Sequence, residues 1–112
     1  MEIAVREANG IQLVSVTGRL TIGATSERLN EALCQLADGG AKKIILNLDG
    51  VAQMDTTGIA ALVRNSLALT RAGGQLRLVC GPGRVRDALT ITRLVEAIPT
   101  FETEAAALTG FT

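Results

Sequence analysis

Two adjacent threonines between an aspartate and a glycine, Asp55-Thr56-Thr57-Gly58, are the residues of this chain best suited to chemistry. They follow an apolar stretch, residues 44–48, and precede a segment in which apolar residues recur at helical spacing from about Ile59. The hydroxyls are therefore expected at a helix N-terminus, where unpaired backbone N–H groups and the helix dipole stabilise an added negative charge. Such a position suits a phosphate.

The same four residues also have a purely structural interpretation. Asp55, Thr56 or Thr57 could serve only as the N-cap of the helix, and Gly58 could allow a tight turn. One cap needs one side chain, however. Two neighbouring threonines therefore leave a hydroxyl that could face solvent or a partner.

The rest of the sequence argues against an enzyme. It contains no histidine, so a conventional catalytic triad cannot form. Cys34 and Cys80 are not in a CxxC spacing, and periodicity predicts that both are buried. Asp49 and Asp55 flank one predicted polar link, but the helix that follows offers no second acid for a two-carboxylate hydrolase. We expect no catalytic residue, no metal and no cofactor.

Length and composition predict one small domain over residues 1–112. Apolar residues make up 47% of the chain but aromatic residues only 2%, so the core is expected to be aliphatic. No N-terminal segment resembles a signal peptide, and no apolar run approaches the roughly 18 residues of a membrane span. We therefore expect a cytoplasmic protein without direct membrane insertion.

The net charge is zero, with 11 basic and 11 acidic side chains, which argues against general affinity for nucleic acid or anionic membranes. Phe101 and Phe111 are the only aromatic residues, so stacking on single-stranded nucleic acid is also unsupported. Residues 64–93 nevertheless contain a single acid, Asp87, and six arginines: Arg64, Arg71, Arg77, Arg84, Arg86 and Arg93. These are either dispersed over solvent-facing surfaces or form an interface for an acidic partner.

The elements that position the threonines can be predicted from periodicity. Apolar residues alternate with other residues over 2–7 and 11–17, on either side of the turn signal Asn9-Gly10. This pattern predicts a β-hairpin, with Gly18 ending the second strand. The alternation of apolar residues changes phase at Leu13-Val14, which indicates either a bulge or a strand covered on both faces. Further predicted elements are helices over about residues 25–38, 59–71, 85–92 and 102–108, and strands over 44–48, 75–80 and 99–101. This order predicts an α/β sandwich with a mixed sheet of four to five strands and helices mainly on one face.

With these elements in place, the sequence resembles the STAS domain, specifically the stand-alone bacterial anti-sigma factor antagonists. The resemblance rests on the strand at 44–48, on Val51 and Met54, and on the run from Asp55 to Ile59. Residues 16–20, 73–74 and 94–101 agree with it, so it spans nearly the whole chain. It implies a single STAS-like domain over residues 1–112.

The resemblance also implies a phosphorylation site. In the family the hydroxyl residue directly after the aspartate is phosphorylated, which corresponds here to Thr56, with Thr57 as second candidate. Asp55 is implied to orient that hydroxyl, and Gly58 to permit close approach of a partner. The implied partner surface consists of Asp55, Thr56, Thr57, Gly58, Ile59 and Thr21.

The implied partner is an anti-sigma factor that is also a serine/threonine kinase. Unphosphorylated antagonist binds it and frees a sigma factor, whereas phosphorylated antagonist is released until a phosphatase resets it. This chain departs from the common pattern at Thr21, where the family often has an acid, and at Thr56, where serine is more usual. Threonine can be phosphorylated, although its χ1 angle is more restricted. A monomer or weak dimer is expected.

Two alternatives remain open at the level of sequence. The domain could be a structural subunit of a membrane transporter complex, docking on an ATPase or permease without phosphorylation. It could also bind a nucleotide or another small ligand, although only the anion preference of the helix end supports that hypothesis.

Overall fold

Five strands form one mixed sheet in the computed structural model, which describes residues 2–8, 10–20, 24–109 and 111. Their order in the sheet follows the chain: β1 (Glu2–Ala8), β2 (Ile11–Leu20), β3 (Lys43–Met54), β4 (Gln75–Val79) and β5 (Thr100–Phe101). β1 pairs antiparallel with β2, and all later neighbours are parallel. The predicted hairpin and mixed sheet are confirmed.

The helices lie mainly on one face, as predicted. They are α1 (Ala24–Asp38), α2 (Thr56–Arg71), α3 (Arg84–Ile91), α4 (Leu94–Ala97) and α5 (Glu104–Leu108). Parallel strands added in one direction by right-handed crossovers carry their connecting helices on the same side of the sheet. The main core accordingly contains Leu33, Leu62 and Leu89 from α1, α2 and α3, whereas Ala107 of α5 packs into a smaller cluster on the opposite face. The short helix α4 was not predicted.

The strand β3 is covered on both faces. Ile44, Leu46 and Leu48 belong to the main core, and Ile45 belongs to the opposite cluster. This confirms the interpretation of the apolar run. The predicted polar link after Leu48 is wrong, because the strand continues to Met54 and pairs with β2 along this length.

Two bulges let β3 follow β2. Between the pairs Ser15↔Asn47 and Thr17↔Gly50, two steps along β2 match three along β3, and the register shifts again between Gly18 and Arg19. A Cβ atom on Gly50 would lie 2.5 Å from Cγ2 of Thr17, so this position requires glycine. The prediction that Gly18 ends β2 is wrong, because the strand continues to Leu20. Gly18 lies within the strand and adopts a positive φ of 102°.

Cys34 is exposed, which contradicts the prediction that both cysteines are buried; Cys80 is buried. The apolar stripe of α1 runs through Leu29 and Leu33, both buried. Cys34 follows Leu33 directly, and one residue corresponds to about 100° of rotation around the helix axis. The thiol is therefore turned away from the core.

A polar network holds α5 against the sheet. Nη2 of Arg6 donates to both carboxylate oxygens of Glu104, at 3.0 and 2.8 Å, and Nδ2 of Asn47 donates to Oε2 at 2.9 Å. The hydrogen bond from Asn47 lowers the pKa of the Glu104 carboxyl, Arg6 acts in the same direction, and burial opposes them. The network links β1, β3 and α5 on the face opposite the main core.

We expect Gly50→Ala to destabilise the fold by about 2 kcal/mol, because the new methyl group must displace Thr17 or the β2 backbone. Gly39→Ala is the matched control, since a Cβ atom there would meet its nearest atoms at an ordinary 3.5 Å. Urea unfolding followed by circular dichroism measures both. Equal stability of the two variants would contradict the close approach at Gly50.

The lowered pKa of Glu104 predicts a pH-dependent contribution to stability. A carboxyl with a lowered folded-state pKa stabilises the fold above its ordinary value of 4.5, and this contribution is lost as the pH falls through the folded value. Glu104→Gln should therefore cost about 0.5 kcal/mol at neutral pH, and the difference from wild type should shrink below pH 4.5. Urea unfolding at several pH values measures it, with Glu102→Gln as control. A difference independent of pH would refute the assignment.

Candidate functional site

β3 passes into α2 through a single residue, Asp55. Its backbone is extended, its Oδ1 accepts a hydrogen bond from the Gly58 N–H at 3.0 Å, and its carbonyl oxygen accepts from the Ile59 N–H at 3.0 Å. These are the bonds of an N-cap residue. The helix therefore starts at Thr56, three residues before the predicted start at Ile59.

Because Asp55 is the cap, neither threonine is required for that role. Thr56 and Thr57 occupy the first two helical positions, and Thr57 is half-buried. Gly58 is buried with no positive φ, so a tight turn does not explain it, and Ile59 packs against the main core. The side chain of Thr56 lies outside the described part of the structure. Its exposure remains a prediction.

The end of β2 lies beside the start of α2. The register pairs Arg19 with Gln53 and Leu20 with Met54, the residue that precedes Asp55. The partner surface implied by sequence thus includes the residue that follows this strand end, Thr21, which itself lies outside the described residues.

The start of α2 favours an anion. Its first turn contains no acidic residue, so the partial positive charge of the helix end is opposed only by the cap. The carboxylate of Asp55 offsets part of this preference, although one of its oxygens is already bonded to Gly58. The partial positive charge of a helix start stabilises a nearby anion.

Asp49 has a positioning role that the sequence did not reveal. Its Oδ1 accepts from the Gly81 N–H at 2.8 Å, and its own N–H donates to Oδ1 of Asn47 at 2.9 Å. The bond ties the β4–α3 loop to β3, beside a cavity of about 160 Å³ that Arg84 also lines. Sequence showed Gly81 only as a strand breaker, since the partner of a loop N–H depends on the sheet register.

The environment of the buried Cys80 thiol does not favour nucleophilic catalysis. Burial raises the pKa of the Cys80 thiol, Asp49 raises it further, and Arg86 acts in the opposite direction. A thiol with a raised pKa is protonated near neutral pH and is a poor nucleophile. Within the described ranges there is also no cluster of three or more potential metal ligands, and no helix has the length and hydropathy of a membrane span.

Two of the six arginines of residues 64–93, Arg77 and Arg86, are half-buried and bonded within the domain. Arg77 lies over the ring of Phe111, 4.1 Å from its centroid, and donates to the carbonyl oxygens of Ala107 and Thr109. Arg86 donates to the carbonyl oxygen of Cys80 at 3.1 Å. The four exposed members are distributed over α2, α3 and the residue before α4: Arg64, Arg71, Arg84 and Arg93. This distribution favours the interpretation that the arginines are dispersed.

The sheet order, the helices on one face and the capped junction between strand and helix define a STAS-type α/β domain. The chain belongs to the STAS domain family, since the family model matches residues 2–107. No curated protein sequence matches it significantly.

Solved structures share this fold. A candidate anti-sigma factor antagonist from Thermotoga maritima is 18% identical, with 97% of this chain and 93% of that chain covered and a TM-score of 0.89. The anti-sigma factor antagonist SpoIIAA in its unphosphorylated form is 18% identical over 96% and 94%, with a TM-score of 0.72; the phosphorylated Bacillus form gives 0.71. The murine solute carrier 26 family member A9 anion transporter is 24% identical over 92% of this chain and 18% of that chain, with a TM-score of 0.73.

The cap predicts that two substitutions of Asp55 behave differently. Asp55→Ala removes the acceptor for the Gly58 N–H and should cost about 1 kcal/mol of stability. Asp55→Asn keeps a good N-cap and should stay within about 0.5 kcal/mol of wild type. Urea unfolding measures both values. If Asn were as destabilising as Ala, charge and not capping would be the role of Asp55 in the fold.

Proposed function

We propose that this chain is an anti-sigma factor antagonist, a phosphorylation-switched binding module and not an enzyme. The observation that carries the proposal is the cap: Asp55 fills the N-cap role, so neither Thr56 nor Thr57 at the helix start is needed for it. Membership of the STAS family and the likeness to anti-sigma factor antagonist structures support it.

In the proposed cycle, the unphosphorylated domain binds an anti-sigma factor that is also a serine/threonine kinase, and this frees a sigma factor in the cytoplasm. The kinase then transfers the γ-phosphoryl group of ATP to the Thr56 hydroxyl, releasing ADP and a proton. A phosphatase hydrolyses the phosphothreonine and resets the switch. The proposed partner surface comprises Asp55, Thr56, Thr57, Gly58, Ile59 and Thr21.

The charge of the phosphate accounts for the switch. A phosphothreonine adds about −1.5 to −2 charges at neutral pH. The helix start tolerates this charge in the free domain, whereas a protein interface without an opposing cation repels and desolvates it. A cost of about 3 kcal/mol corresponds to roughly a hundredfold loss of affinity, enough to release the partner.

No refolding is needed for such a switch. The unphosphorylated and phosphorylated SpoIIAA structures match the present fold almost equally well, with TM-scores of 0.72 and 0.71. β3 and α2 hold the site by core packing on both sides of Asp55, through Leu48 and Leu62. The proposed phosphate therefore acts on the interface and not on the fold.

A second candidate function is that of a transporter subunit. The observation that favours it is the likeness to a domain of the murine anion transporter, which covers 92% of this chain. In that role the domain would dock on a permease or ATPase without phosphorylation. Phosphorylation by a kinase discriminates between the two functions.

We expect a serine/threonine kinase of the anti-sigma type from the same organism to label Thr56 in the presence of ATP. Mass spectrometry of the product locates the phosphate, with Thr56→Val, which keeps the branched shape without the hydroxyl, as matched control. Label on Thr57 would move the switch by one residue. Absence of label would refute the proposal and favour the transporter function.

The binding cycle predicts opposite effects for two variants at residue 56. Thr56→Ala should bind the partner constitutively, and Thr56→Asp should bind about tenfold to a hundredfold more weakly because its charge is smaller than that of a phosphate. Isothermal titration calorimetry of each variant with the kinase measures both affinities. Equal affinities would exclude charge repulsion as the mechanism.

A further inference from the structure

The outer edge of β1 is an open strand edge. Within the described residues β1 pairs with β2 only, and the pairing is unbroken from Glu2↔Thr17 to Ala8↔Ile11. The opposite edge of the sheet is β5, which has only two residues. Long, regular edge strands offer unpaired N–H and C=O groups to another strand, and proteins usually protect them with proline, bulges or short length. β1 contains no proline or bulge and has seven residues, and its charged side chains are Glu2, Arg6 and Glu7.

Apolar side chains lie along this edge. Val5 is 47% exposed, and Ile3, on the same face of the strand, is half-buried at the margin of the main core. Together with Arg28 and Glu31 of α1 they line a shallow depression of about 300 Å³. The edge is therefore open both along its backbone and on its helix-side face.

We propose that β1 pairs antiparallel with β1 of a second copy of this chain, joining the two sheets across a twofold axis. Such an interface is isologous, so every contact occurs twice. The charge pattern of β1 argues for a second copy as the occupant, because the strand is complementary to itself in one register.

The register follows from strand geometry. In an antiparallel pair, two opposed residues both turn their backbone groups toward the partner strand or both turn them away, so odd positions oppose odd and even oppose even. When the two strands are paired with Ala4 opposite Ala4, Glu2 lies opposite Arg6 and Ile3 lies opposite Val5. Opposite charges then meet on one face and apolar side chains on the other, which are the stabilising cross-strand pairs.

Neighbouring registers are less favourable. A pair centred on Val5 places the apolar Ile3 opposite the charged Glu7. A pair centred on Arg6 places the two Arg6 side chains, which have the same charge, opposite each other. When the pair is centred on Ile3, Glu2 lies opposite Ala4, so its carboxylate meets no cation. The register centred on Ala4 is therefore the one we assign.

Arg6 can bind Glu104 of its own chain and Glu2 of the second copy at the same time. Its two bonds to Glu104 come from Nη2, and a guanidinium carries five N–H donors in all. The Glu2 carboxylate of the second copy can therefore approach Arg6 while the bond to α5 persists.

The proposed dimer uses the β1 edge of the sheet, and β2 separates β1 from β3, the strand that leads into α2. The dimer proposal does not rest on the proposed function.

Sedimentation equilibrium of residues 1–112 with no added N-terminal residues tests self-association. We expect the average mass to rise from 11.7 kDa toward twice that value as concentration increases. Val5→Lys should weaken self-association about tenfold by placing a charge in the apolar pair. Leu67→Lys is the matched control, since Leu67 of α2 is 52% exposed, and it should behave as wild type. A monomer mass at every concentration, or equal effects of the two variants, would overturn the proposal.

Disulfide trapping tests the register. In a Cys34→Ser background, which removes the exposed thiol, Ala4→Cys places two thiols on the twofold axis with Cα atoms about 4.5 to 5.5 Å apart, within the range of a disulfide. Val5→Cys, whose thiol would oppose Ile3, is the control. We expect Ala4→Cys to form covalent dimers at least about tenfold faster. Equal rates, or faster trapping at Val5→Cys, would exclude this register.

Discussion

The direct passage of a central strand into a capped helix is the constraint on which the candidate site depends. β3 is paired on both sides over residues 43–47 and stays paired with β2 as far as Met54, so the register of β2 and β3 fixes where the backbone reaches Asp55. The bond from the Gly58 N–H to Asp55 then fixes where α2 begins. Together they place residues 56 and 57 in the first helical turn, where the helix dipole favours a negative charge.

The length of β3 is itself set by its contact with β2. Two bulges let β3 carry two more residues than β2 over the same span, and the first brings Gly50 against Thr17 and the carbonyl oxygen of Val16. The strand ends Leu20 and Met54 consequently meet at one edge. Backbone packing remote from the threonines thus determines which segments can form one partner surface.

The two faces of the sheet are held by different interactions. Aliphatic side chains of α1 to α4 cover one face, whereas α5 is held on the other by a small apolar cluster together with Arg6, Asn47 and Glu104. Arg77 lies over Phe111 on this second face. The positive charge of residues 64–93 therefore serves the fold in part.

The sequence by itself determined the hairpin, the order of the main elements and the buried character of β3, because these follow from local periodicity and turn residues such as Asn9-Gly10. It also placed the threonines near a helix start. Only the tertiary structure decided that β3 extends to Met54, that Asp55 and not a threonine caps α2, that Gly50 lies at a bulge, and that Cys34 faces solvent. The physical reason is that strand extension, bulge position and burial depend on neighbours distant in sequence, whose register no local pattern specifies.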